Sequence, residues 1–259
     1  MKLEEYLTKA FTTTFKVKPY LSSLFVTVVI FILFIIGLLA FFFSIIKQFI
    51  GLGFMANSGQ ISNSMLGFKL MGGPGIGFIV FIVILIILDI IGQAFVFKKV
   101  KSEMESKKDD FFTGFGDSFL LGLKVLVVVI VFYIVLGIIG AIIFAIGLIP
   151  YVGIVLTIIL YIILYIILGL YAITGAFTIY GFTAKGGIGK GIEMALTLPF
   201  KKIHLVGYSF VFMITIMAIW FILGLLCIIP SLGPILYILG IPIIAVYKMG
   251  ISYCMATEE

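Results

Sequence analysis

One carboxylate stands inside an apolar run: Asp89, in Leu85-Ile86-Ile87-Leu88-Asp89-Ile90-Ile91. It precedes Lys98 by nine residues, about 13 Å along a helix and so close to the middle of a ~30 Å hydrocarbon core. A charge facing lipid at that depth costs on the order of 2.5–3.5 kcal/mol. Asp89 is therefore expected to face other helices, either protonated or hydrogen-bonded. Gln93 at i+4 and Gly92 at i+3 share its face, and Tyr165, Thr174 and Thr215 fall at similar depth.

Two chemistries suit Asp89 and Gln93: a proton- or cation-binding group on a transport path, or a neutral acid bonding helix to helix. With one acid and no intramembrane basic partner, helix bonding has the stronger claim.

The remaining polar residues build no site. His204 is the only histidine and sits beside Lys201 and Lys202, without the Cys or carboxylate neighbours of a metal centre. The two cysteines, Cys227 and Cys254, lack CxxC spacing and belong at opposite ends of one span, so they read as packing residues. Gly186-Gly187-Ile188-Gly189-Lys190-Gly191 lacks the GxxxxGK[ST] spacing of a phosphate loop. No nucleophile–base pair, HExxH or cofactor fingerprint occurs. The expectation is a protein that is not an enzyme, with no catalytic, cofactor-binding or metal residues.

The elements that position these residues belong to a bilayer. The 259 residues are 63% hydrophobic and 11% charged, against roughly 45–50% and 25% in soluble domains. Surface that apolar needs lipid as its solvent. All 17 basic residues are lysine. Bidentate reading of phosphate or guanine favours arginine. The net charge of +6 thus points to span flanks and anionic lipid, with no nucleic acid as partner.

A loop pattern occurs twice, about 80 residues apart: Gly147-Leu148-Ile149-Pro150-Tyr151-Val152-Gly153 and Cys227-Ile228-Ile229-Pro230-Ser231-Leu232-Gly233. Each copy joins two apolar runs, as the tip of a transmembrane hairpin. Residues 3–18 form a helix ended by Pro19, with a stripe of Leu3, Leu7, Phe11 and Phe15 that suits the membrane interface. Two similar segments are expected. Phe112, Phe115 and Phe119 oppose Thr113 and Asp117; Ile188, Ile192, Ala195 and Leu196 oppose Lys190, Glu193 and Thr197, ending at Pro199.

Six spans are expected, at about 21–46, 75–97, 125–149, 151–180, 203–229 and 232–249. Loops should cover 47–74, 98–110 and 181–190. The first of these, rich in Gly, Asn and Ser, reads as a surface loop or lid. The first span reads as a retained anchor, since Glu4 and Glu5 stand where a signal peptide has basic residues.

The fold expected is therefore an all-α membrane protein: one polytopic domain of three units, about 1–110, 111–183 and 184–259, each an amphipathic helix followed by a hairpin. Internal repeats of this kind are structural evidence. Lysines cluster at residues 2–18, 98–124 and 185–202, and at 248, while Lys47 and Lys69 alone lie on the other side. Both termini are therefore expected to be cytoplasmic in a multi-pass cell-membrane protein. The stripes Gly137-Ala141-Ala145 and Ala172-Ala176 would let helices approach closely, within the chain or between copies.

Through Glu193-Met194-Ala195-Leu196-Thr197-Leu198-Pro199-Phe200-Lys201-Lys202 and Gly122-Leu123-Lys124-Val125-Leu126-Val127, the chain resembles uncharacterised prokaryotic, often archaeal, multi-pass membrane proteins. These share an "ALxxPF/K" lead into glycine-rich transmembrane hairpins. The resemblance implies the membrane fold and carries over no functional residues. The expected function is a membrane module that organises lipid, a membrane protein partner or further copies of itself. The alternative is a transporter or channel for an ion or small solute, using Asp89.

Overall fold

The computed structural model describes residues 3–56, 63–107, 111, 114–149, 153–201, 203–226 and 233–257. These are helical almost throughout, with no strand among them: α1 (Leu3–Thr14), α2 (Val17–Ala56), α3 (Asn63–Met104), α4 (Phe115–Gly147), α5 (Gly153–Lys201), α6 (Ile203–Leu226) and α7 (Gly233–Thr257). Gly187, at φ 72° and ψ −166°, divides α5 into two helices. Only glycine adopts that backbone conformation without strain.

Among the described residues, five helices are long and apolar enough to cross a membrane: Val17–Ile50, Gly75–Met104, Phe115–Gly147, Ile203–Leu225 and Ile238–Thr257. The apolar start of α5, Gly153–Gly169, is shorter. Large hydrophobic side chains such as Phe43, Ile79, Tyr133, Ile166 and Phe221 are exposed along these helices. Water would be the wrong solvent for such surfaces, and lipid the right one. The chain is a multi-pass membrane protein. Val17–Ile50 has 34 residues and is about 51 Å long, so it must tilt in a ~30 Å core or emerge from it.

Several boundaries differ from the sequence reading. Pro19 does not end the first helix, which stops at Thr14; it lies in the first turn of α2, where its missing N–H costs no helical bond. The expected loop at 47–74 is largely helix, because α2 runs to Ala56 and α3 starts at Asn63. Only 57–62, outside the described residues, separates them. α3 also continues past Lys98 to Met104. Its lysines supply helix-compatible stems and an i,i+4 pair, Lys101 with Glu105. The expected loop at 181–190 is helical on both sides of Gly187, and α7 extends beyond Met249 to Thr257. The tips at Pro150 and Pro230, with Cys227, fall outside the described residues.

The chain forms two compact units: Met1–Leu24 with Ile91–Glu259, and Phe25–Ile90. These are cut differently from the three sequence units. In the second, α2 and α3 pack on each other. The Phe41 and Phe78 rings stack with centroids 4.4 Å apart, and Gly37 abuts the Phe81 ring.

In the first unit, α4 and α5 form the expected hairpin. The Gly153 N–H donates to the Ile149 carbonyl at 3.0 Å, and Thr157 donates to the Ile143 carbonyl at 3.4 Å. Tyr6, Phe182, Leu205, Phe212, Tyr247 and Met255 build a buried core around α7. Helix α1 meets α7 through Tyr6 and Ala10, beside Gly250. The buried hydroxyls of Thr13 and Thr14 donate back to the carbonyls of Lys9 and Ala10. Phe11 and Phe15, from the apolar stripe, are exposed and take no part in the α7 contact. The tighter α1–α7 contact takes the small residue Ala10, which lets the backbones approach.

Pro242 lies within α7 and deprives the Ile238 carbonyl of its helical donor. The Tyr20 hydroxyl donates to the next carbonyl, that of Leu239, at 3.1 Å. Cys254 is buried in the core as a free thiol, in keeping with a packing role.

Candidate functional site: a lysine-lined end of the larger unit

The final turns of α3 bring Lys98, Lys99 and Lys101 to one end of the unit containing Ile91–Glu259. The first turns of α4 bring Asp117 and Lys124 beside them. Lys98 Nζ pairs with Asp117 Oδ2 at 3.0 Å, which ties α3 to α4. An open cavity of about 280 Å³ follows, lined by Phe97, Lys98, Lys101, Asp117, Leu120, Leu121, Lys124, Thr183 and Ala184. Asp117 balances one lysine of the three. Lys124 has no ion-pair partner among the described residues.

A second lysine-lined cavity, of about 500 Å³, lies among Lys16, Val17, Lys18, Glu103, Ser106 and Lys107. Lys16 reaches Glu103 across it at 3.8 Å. Glu105 connects the two linings, with Lys107 at 2.6 Å and Lys101 at 3.8 Å. The Tyr253 hydroxyl of α7 donates to Glu105 Oε1 at 3.1 Å. The Lys107 hydrogen bond, chiefly, holds the Glu105 carboxyl below its ordinary titration range, with help from Tyr253 and Lys101 and against some burial. Ser106, at φ 56°, turns the chain so that the Lys107 N–H reaches the Ser102 carbonyl.

Two lysines at this end serve the fold. Lys99 is almost wholly buried at 3% exposure, with its ammonium 5.7 Å from the centre of the Phe95 ring. The ring's negative face offsets part of the charge. Lys185 donates to the Ala256 carbonyl at 3.1 Å, which places a cation at the negative end of α7.

The sequence-derived residues fare differently. Asp89 and Gln93 lie four residues apart on α3, inside the span Gly75–Met104. Asp89 belongs to the Phe25–Ile90 unit and Gln93 to the other. Asp89 is exposed, rather than covered by neighbouring helices as expected, and Gln93 is half-buried. Of the expected polar neighbours, Tyr165 is exposed and Thr215 donates to the Val211 carbonyl at 3.1 Å, while the Thr174 side chain is outside the described residues. His204 is exposed, with its ring edge-on to Tyr208. No cluster of three or more metal-ligating side chains occurs among the described residues. Gly137, Ala141 and Ala145 lie exposed along α4.

Sequence reasoning placed the lysines at span ends but missed the cavities, the Glu105–Tyr253 contact and buried Lys99. The i,i+4 spacing of Lys101 and Glu105 is the one signal that could have extended α3 past Lys98. Comparison of the chain with protein families, curated proteins and solved structures gives no match.

Proposed function

We propose that this chain is a six-span cell-membrane protein, with both termini cytoplasmic, whose non-enzymatic role is to gather acidic lipid at its lysine-rich end. The observation that carries this reading is the pair of lysine-lined cavities joined through Glu105, at the ends of membrane-length helices. Lysines near an acidic leaflet each contribute about 1 kcal/mol of attraction.

The sixth span in this reading is the first half of α5. It begins with the apolar Gly153–Gly169 and continues as helix toward Gly187. The hairpins α4–α5 and α6–α7, with the pair α2–α3, make the three repeated units. The exposed Phe11 and Phe15 of the α1 region suit an interfacial helix. A membrane protein partner or further copies of the chain could be gathered through the same lipid. The transport alternative keeps one observation, a carboxylate inside a candidate span.

The test is the lipid that accompanies the protein out of the membrane. Enrichment of acidic over zwitterionic phospholipid, relative to the bulk membrane, is expected. A bulk composition would overturn the reading.

A further inference from the structure

The cavity lined by Lys98, Lys101, Asp117 and Lys124 is built by two helices that packing holds in place. Lys98 and Lys101 are three residues apart on α3, and Asp117 and Lys124 seven apart on α4, so each pair shares a helix face. Next to Leu121 of the lining, a Cβ at Gly122 would lie 2.8 Å from Ile91 Cα, which marks a close approach of α4 to α3. The Lys98–Asp117 pair at 3.0 Å adds a second tie. The lysines therefore share one cavity before any ligand arrives, which lowers the cost of binding.

Their charge exceeds what the lining balances. Asp117 is its one carboxylate, against three lysines, a surplus of two positive charges. Glu105 is 3.8 Å from Lys101, beyond hydrogen-bond reach. Lys107 at 2.6 Å and Tyr253 at 3.1 Å engage it more closely. Lys124 is half-buried and has no ion-pair partner among the described residues. The other lysine-lined cavity differs. Of its three lysines, Lys16 meets Glu103 and Lys107 meets Glu105, which leaves a surplus of one.

A surplus of two on a compact site complements a compact dianion. A phosphomonoester carries about −1.5 to −2 near pH 7, whereas a phosphodiester carries a single negative charge. Lysine suits a phosphate as a point charge. Phe97, Leu120 and Leu121 also line the cavity and offer apolar surface beside the phosphate, as a lipid headgroup at the membrane boundary requires.

We propose that this cavity is a phosphomonoester site, which takes the terminal phosphate of a lipid headgroup among Lys98, Lys101 and Lys124. The proposal rests on the reading that the lysine-rich end meets acidic lipid, and narrows it to one cavity and one class of headgroup.

The test uses the full chain in detergent, with native mass spectrometry of the retained lipid as the readout. The probes are dioleoyl phosphatidic acid and dioleoyl phosphatidylmethanol, which differ by one methyl group that removes the second ionisation. Wild type should retain one equivalent of phosphatidic acid about fivefold better than phosphatidylmethanol, because the second charge engages a further lysine. Lys124→Gln should lose about fivefold for phosphatidic acid and bring the two lipids close to parity. Lys124→Arg, which keeps the charge, should behave like wild type. Lys47→Gln removes one charge from α2, outside the lining, and should leave the preference intact. A melting temperature near that of wild type shows that each variant is folded.

Equal retention of the two probes by wild type, both above phosphatidylcholine, would overturn the phosphomonoester site and leave the broader reading standing. A preference lost equally in Lys47→Gln and Lys124→Gln would overturn the cavity as its source. Free phosphate offers the same chemistry. If millimolar inorganic phosphate displaces phosphatidic acid, and raises the melting temperature of wild type but not of Lys124→Gln, the lipid source is overturned and the phosphate site stands; retention unmoved by phosphate supports the lipid. Retention of neither probe above phosphatidylcholine would overturn the proposal and the broader reading together.

Discussion

The crossing of α5 and α7 is the most sharply testable contact in the larger unit. The Gly181 N–H donates to Ser252 Oγ at 3.0 Å. A Cβ at Gly181 would run into the Ser252 carbonyl oxygen and lie 2.7 Å from Ala256 Cβ and 3.0 Å from the Ser252 carbonyl carbon. These atoms are backbone or the shortest of side chains, so nothing can rotate away. Gly181→Ala must push the two helices apart. Overpacking of this kind costs about 1–3 kcal/mol, and the stretched hydrogen bond about 1 kcal/mol more. At roughly 2–4 °C per kcal/mol for a chain of this size, the melting temperature in detergent, followed by circular dichroism, should fall by roughly 4–16 °C. Gly224→Ala is the control, since open space surrounds its Cβ position; its shift should stay within about 0.5 kcal/mol. A Gly181→Ala protein that melts with the wild type would refute the close approach of α5 and α7.

Gly187→Ala should cost about 1–3 kcal/mol, because an L-residue is strained at its φ of 72°. Gly189→Ala, with open space and no unusual φ, should melt like wild type. The Glu105 carboxyl is depressed by Lys107, then by Tyr253 and Lys101. Its contribution is therefore complete above the unfolded carboxyl's value near 4.3 and is lost as pH falls through the lower folded value. Denaturant titrations should show wild type losing more stability than Glu105→Gln across that window, by less than about 1 kcal/mol because the pairs are partly exposed; equal losses would contradict the clamp. Proteoliposomes holding wild type and Asp89→Asn should show the same proton and cation leak. A flux that the substitution abolishes would replace the lipid reading with transport.

Much of the membrane architecture was legible because it rests on composition. Runs such as Val125–Ile149 have one stable solution in lipid, and glycine with proline between two such runs marks a turn. Lysines at the run ends located the polar end of the unit in the same way. Helix ends were less legible, since Pro19 and the Lys98–Met104 turns read locally as breaks. In the structure Pro19 occupies a first turn that tolerates it, and the α3 extension carries buried Val100 and Ser102 with the Lys101–Glu105 pair. The face of α1 that packs on α7 is not the one its large apolar residues mark. Phe11 and Phe15 are the more hydrophobic residues, yet Ala10 is small enough to meet Gly250 closely. One lysine cavity needed α3, α4 and α5 together and the other the start of α2 with the end of α3, and the Tyr253–Glu105 bond joins residues 148 apart in sequence. No local pattern carries contacts of that range. Asp89 stood out by chemistry alone, and its exposure on α3 follows from packing that a single span does not encode.

The most direct test of the central claim is the melting temperature of the wild-type protein in nanodiscs of phosphatidylcholine alone, and of phosphatidylcholine with added phosphatidylglycerol. A ligand bound only by the folded state stabilises it by mass action. The account predicts a melting temperature that rises with the acidic fraction, with the gain shrinking as salt screens the lysines. The same melting temperature in both lipids, at low salt, would contradict it.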